Sequence, residues 1–127
     1  MSEPETVELD ARADWRRWLR ANHRRSTGIW LVTPKKSSGR PHVPYDDAVE
    51  EALCFGWVDS KVRSVDEERT SLFFTPRTAK SSWSASNVAR VEKLERAGLM
   101  RAAGRRAVAD AKASGRWPVS DTAGGGV

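Results

Sequence analysis

Apolar side chains recur along this chain in two rhythms, one near 3.6 residues and one of two, and their order predicts the fold. From Asp10 to about Asn22, the positions Ala11, Trp15, Trp18 and Leu19 keep helical spacing, with Asp10 as N-cap and Arg12, Arg16 and Arg20 aligned on an outward face. Ser26-Thr27-Gly28 reads as a turn, and Ile29 to Thr33 as a short strand closed by Pro34. Lys35 to Pro41 reads as a basic, flexible loop. Pro44 opens the clearest helix, in which Tyr45, Ala48, Val49, Ala52 and Leu53 share one face and Gly56 supplies a left-handed stop.

The rhythm then shortens to two. Val58 and Val62 alternate with Trp57, Asp59, Lys61 and Arg63, Asp66 to Arg69 forms a turn, and Thr70 to Thr75 returns as a second strand. This predicts a hairpin over about 57–76 that offers Val58, Val62, Leu72 and Phe74 to the core. Ser84 caps a helix to about Ala97 with Val88, Val91 and Leu94 buried, and a last helix runs from Met100 or Ala102 to Ser114 before Gly115. Trp117 and Pro118 read as a terminal anchor. The expected fold class is α+β, a small antiparallel sheet containing the hairpin and packed against amphipathic helices. One domain is expected over 10–117, between a flexible N-terminus at 1–9 and a flexible tail at 118–127.

Charge adds functional content. The net charge of +5 is uneven: residues 12–40 carry nine Lys/Arg against one acid, residues 41–68 two against eight, and residues 69–127 eleven against four. Sixteen of the cations are Arg, the side chain that pairs bidentately with phosphate or carboxylate. No apolar run approaches the roughly 20 residues of a membrane span, and the acidic start lacks the features of a secretory signal, so a cytoplasmic protein is expected. A single cysteine, Cys54, with only His23 and His42 beside it has no zinc spacing, and no metal or cofactor is expected. The acidic ridge of Asp46, Asp47, Glu50 and Glu51 reads as a solvated face.

The hairpin face turned away from the core carries the candidate site. If Val58 and Val62 point inward, Trp57, Asp59, Lys61 and Arg63 point outward, joined by Phe73 and Thr75 and by Arg77 at the strand end. Trp83 or the Lys35-Lys36 loop would close a cleft over them, and Trp57 and Trp83 would stack on a ligand. Alternatively, Asp59 and Arg77 form a cross-strand ion pair and Trp57 packs under the last helices.

One long pattern also carries a resemblance. Tyr45-x-x-Ala48-x-x-Glu51-Ala52-Leu53-Cys54-Phe55-Gly56-Trp57-Val58-Asp59-Ser60, then Phe74-Thr75-Pro76-Arg77 and Ser82-Trp83-Ser84-x-x-Asn87, resembles the YdeI/OmpD-associated family of small bacterial proteins. Trp18-Leu19, Gly28-Ile29-Trp30, Lys35-Lys36 and Gly115-Arg116-Trp117 extend that similarity over about residues 10–117. The resemblance implies an intracellular bacterial protein linked to bacteriocin, antimicrobial-peptide or stress tolerance, with no assigned reaction, and a distant likeness to frataxin-like α+β proteins. The chain is expected to depart from that family by ending soon after Trp117, with no additional C-terminal domain.

The functional expectation is a non-enzymatic protein that binds a small molecule or peptide, with no catalytic residue assigned. Asp59 would take a cationic end, Lys61, Arg63 and Arg77 an anionic end, and Trp57 and Trp83 the apolar middle, with Lys35 and Lys36 at the rim. Two alternatives stand beside it. One is a small enzyme using Asp59 as base next to Lys61. The other is a weak, non-specific nucleic-acid accessory protein using Arg12, Arg16, Arg20, Arg24 and Arg25.

Overall fold

A computed structural model describes residues 4–78 and 81–118. Four strands and four α-helices follow one another as β1 (Glu5–Glu8), α1 (Arg12–Asn22), β2 (Ile29–Pro34), α2 (Tyr45–Cys54), β3 (Trp57–Ser64), β4 (Arg69–Pro76), α3 (Ala85–Arg96) and α4 (Ala102–Ala113). The strands form one sheet in the order β1-β2-β4-β3. The α+β class is as expected, and the hairpin spans 57–76 as read from the period of two.

Two features change the expected sheet. Glu5–Glu8, assigned above to a flexible N-terminus, is a strand paired parallel with β2, so the sheet is mixed. The hairpin register also shifts between Asp59 and Lys61, leaving Ser60 as the extra residue of a β-bulge. A bulge reverses the parity of everything before it. Trp57 and Asp59 therefore share the inner face with Phe74, and Val58 stands opposite Thr75 on the outer face. Val62 does pair with the inner Leu72, yet it lies beyond the helices and is 68% exposed.

One sheet face is covered by the helices. Ile29, Leu31, Leu72, Phe74 and Trp57 of the sheet join Trp15, Leu19, Val49, Leu53, Val91 and Leu94 of the helices in one core. Trp15 anchors α1 by donating its indole N–H to the Ala48 carbonyl, 3.0 Å away. The helix starts are set as the residue types require only in part. Ser84 caps α3 by accepting from the Asn87 N–H, whereas α1 begins after Ala11 with no side-chain cap in place of the expected Asp10. The loop after Pro34 is ordered as a 3-10 turn over Lys36–Ser38 rather than a flexible run. Residues 119–127 of the expected tail lie outside the described residues. Among those described, no helix is long and apolar enough to cross a membrane.

The acidic ridge of α2 is solvated only in its first turn, where Asp46 is exposed and Asp47 half-buried. Glu50 and Glu51 are buried, and Arg12 and Arg16 of α1 turn inward onto them, with Lys93 of α3 on Glu50 from the other side. Burial alone would lower both guanidinium pKa values, but the bonds and charge of Glu51 outweigh it and hold them above their ordinary value.

Candidate functional site

The α2 to β3 junction is the point around which the site is built. Gly56, at φ +78°, reverses the chain in one residue, and its carbonyl accepts from the Arg77 N–H at 2.9 Å. The start of α4 presses against the same junction, because Gly104 has no side chain and the Arg101 N–H reaches the Cys54 carbonyl at 3.0 Å. Between this junction, the C-terminal end of α1 and the N-terminal end of α4 lies an open cavity of about 810 Å³.

Its wall is cationic. Arg20, His23 and Arg24 enter from the end of α1, Arg101 and Arg106 from the start of α4, and Arg77 from the end of β4. Asp110 is the one carboxylate among the described lining residues. Among the described residues, eight of the sixteen arginines are ion-paired with carboxylates, and none of the five cavity arginines is among them. The field of α4 adds to this wall. Its first turn has no acidic residue and no side-chain cap, so its free N–H groups and positive dipole end stand beside Arg101 and Arg106. Such a combination repels cations and favours an anion.

Arg77 is the most demanding member. Its guanidinium lies 3.7 Å from the Trp83 ring centre, and Nη1 donates to the Ser82 carbonyl at 3.0 Å. Nε and Nη2 are buried without a hydrogen-bond partner among the described residues. Burial pulls its pKa down to about 10, against a raising influence from Asp59, so the group stays charged at neutral pH. Each buried, unpaired N–H costs about 1–3 kcal/mol, which an incoming acceptor would recover.

The expected site residues separate into three places. Trp57, Arg77 and Trp83 lie at the cavity end of the hairpin, but Trp57 is 1% and Trp83 8% exposed, so both are packed side chains rather than open stacking platforms. Lys61 and Arg63 stand on the outer sheet face, over the rings of Phe73 and Trp30. Lys35 caps and Lys36 opens the 3-10 turn at the far end of β2, and Lys36 borders a separate groove with Val43, Tyr45 and Val62. Among the described residues, the pocket that Trp83 lines is a different one. Asp59 makes no ion pair with Arg77 and instead accepts from the Tyr45 hydroxyl at 2.8 Å, whose pKa is raised by burial and by that bond. The bulge sets Asp59 and Lys61 on opposite faces, so they form no acid/base pair.

Sequence reasoning missed Arg101 and Arg106, although a signal was present. Basic residues crowd the start of a helix with no acid in its first turn, against the preference of the dipole. The Arg series of the first helix is also divided. Arg12 and Arg16 are spent on α2, Arg25 is bonded to Glu5, and Arg20 and Arg24 remain for the cavity. Cys54 is fully buried, and burial pushes its thiol pKa up, away from a thiolate nucleophile.

Residues 7–107 match the family described as Domain of unknown function (DUF8412). The chain belongs to that family. No curated protein and no solved structure matches it. The resemblance to the YdeI/OmpD-associated family is thereby corrected, and the tolerance phenotype it implied lapses with it. The reason is physical. Ala48, Ala52, Leu53, Cys54, Phe55 and Trp57, which carried much of the pattern, are all core residues around a left-handed glycine. They record how a helix turns into a strand under a covering layer, a solution open to unrelated folds.

Proposed function

We propose that this protein binds a small organic anion bearing phosphate or carboxylate groups in the arginine-lined cavity. The observation that carries the reading is Arg77, a charged side chain with two buried N–H groups that have no acceptor among the described residues, beside four further arginines without a carboxylate partner among those residues. A cavity of about 810 Å³ lies within the range of about 300–1,000 Å³ typical of small-molecule sites. His23 holds its ring in the cavity wall through a contact of Nδ1 with the Leu19 carbonyl at 2.8 Å. The reading is one of anion binding, supported by Arg77 and its neighbouring arginines. The cytoplasmic setting expected from the sequence stays part of this proposal, supported by the unpaired thiol of Cys54.

Isothermal titration with pyrophosphate and with citrate, at matched ionic strength, tests the proposal and separates phosphate from carboxylate recognition. Saturable one-to-one binding of at least one of them is expected, weakened tenfold or more in Arg77→Met. The same substitution should leave the thermal midpoint unchanged or higher, because it removes an unpaired buried charge while keeping much of the stem that packs near Trp83. No saturable binding of either anion, or equal affinity in Arg77→Met, overturns the reading.

A further inference from the structure

The sheet face opposite the helices carries a second set of side chains that the cavity does not use. Trp30 of β2 stands directly across from Phe73 of β4, and Phe73 directly across from Lys61 of β3, so the three form one row over three strands. The two rings are 4.9 Å apart between centres and tilted by 40°. Arg63 lies 4.1 Å from the Trp30 ring centre and Lys61 5.7 Å from that of Phe73. Neither ring belongs to the core cluster. Both are half-buried, while Lys61 and Arg63 are exposed.

These positions are chemically unusual for a solvent face. Nearby cations are neutralised at the sheet's edges, Arg69 by Glu8 and Arg25 by Glu5. Lys61 and Arg63 have no carboxylate partner among the described residues and rest only on aromatic rings. Each of these ring faces can stack on a flat π-system, and two unpaired cations beside them accept a negative backbone. Unpaired nucleobases on a phosphodiester chain offer both at a spacing that neighbouring strands can follow.

We infer that this open sheet face, with Trp30 and Phe73 as stacking rings and Lys61 and Arg63 as phosphate contacts, binds single-stranded nucleic acid. Bases displace the cation caps from the rings, and the freed ammonium and guanidinium move to the adjacent phosphates. Duplex DNA is a poor ligand, because its bases are already stacked. This site is independent of the arginine cavity, which lies at the hairpin's other flank on the helix side.

Fluorescence anisotropy with a labelled 12-nucleotide oligo-dT and an abasic 12-mer of the same charge tests it. Oligo-dT should bind at least tenfold tighter than the abasic chain. The double variant Lys61→Gln/Arg63→Gln should lose tenfold or more and lower the salt slope of binding by about 1.4, at about 0.7 per single-strand phosphate contact. Phe73→Leu should weaken oligo-dT while leaving the abasic chain alike, and if it fails to fold, the charge variant decides. Saturating pyrophosphate at constant ionic strength should leave oligo-dT bound, so failure of the cavity reading does not decide this one. Equal binding of the two 12-mers overturns the inference. So does wild-type affinity in the double variant, displacement by pyrophosphate, or equally tight binding of a poly-glutamate peptide.

Discussion

Gly56 shows at a single residue how the fold and the site depend on each other. At φ +78° a Cβ would be strained, and it would also stand 2.9 Å from the Ala103 carbonyl oxygen. Gly56→Ala should therefore destabilise by about 1 kcal/mol or more, read as a lower urea midpoint at unchanged slope. Gly104→Ala should cost more, about 1–3 kcal/mol, because its Cβ would meet the Cys54 carbonyl oxygen at 2.4 Å and push α4 off the junction. Cys54 beside it is predicted to be inert. A thiol reagent such as DTNB should label it only as the protein unfolds. Because burial raises its folded pKa above the ordinary value of 9.0, the unfolded chain releases that proton first. Its contribution to stability is complete below about pH 9 and declines as pH rises further, a slope that Cys54→Ala should remove.

Among the elements, the contact of α1 with α2 is the least ordinary. An amphipathic reading puts the charged stripe of each helix in solvent, yet both stripes meet at a partly buried interface. Glu51, with 4% of its side chain exposed, takes Arg12 and Arg16 together, and Glu50 is held between Arg12 and Lys93. Glu51→Ala should cost about 3 kcal/mol in chemical denaturation, because it leaves the largely buried Arg16 without a carboxylate partner, while Arg12 keeps Asp47 and Glu50. Arg17→Ala, which breaks an exposed pair with Asp14, should cost less than about 1 kcal/mol. At the start of α3, Ser84→Ala should cost about 1 kcal/mol for the lost cap.

At the scale of the whole molecule, the uneven charge along the chain resolves into two populations. The acidic middle draws cations from both ends, through Arg12 and Arg16 on one side and Arg90 and Lys93 on the other. The cations left over are concentrated at the cavity and on the open sheet face. An anion that fits the cavity should therefore stabilise the entire domain, by about 2.7 kcal/mol at a hundredfold excess over its Kd, and the effect should fall as sodium chloride is raised. Differential scanning calorimetry with pyrophosphate against chloride at equal ionic strength measures it. A midpoint that tracks ionic strength alone would leave no specific site.

The sequence by itself determined the order of the four helices and of β2, β3 and β4, the hairpin and the left-handed glycine that joins it to α2. Those features rest on local spacing and on one residue's backbone freedom, which neighbours in the chain fully express. It did not determine β1, because Glu5 to Glu8 is a short acidic run whose only strong reason to be extended is its partner β2, some twenty residues away. Nor did it determine which face Trp57, Asp59, Lys61 and Arg63 present, since one unpaired residue, Ser60, inverts the alternation without any mark in the pattern. Arginine was visible as a composition, but its role was decided only by where carboxylates fall in three dimensions. Arg16 found Glu51 and became structure, whereas Arg77, just beyond β4, found none among the described residues and keeps two buried N–H groups without an acceptor.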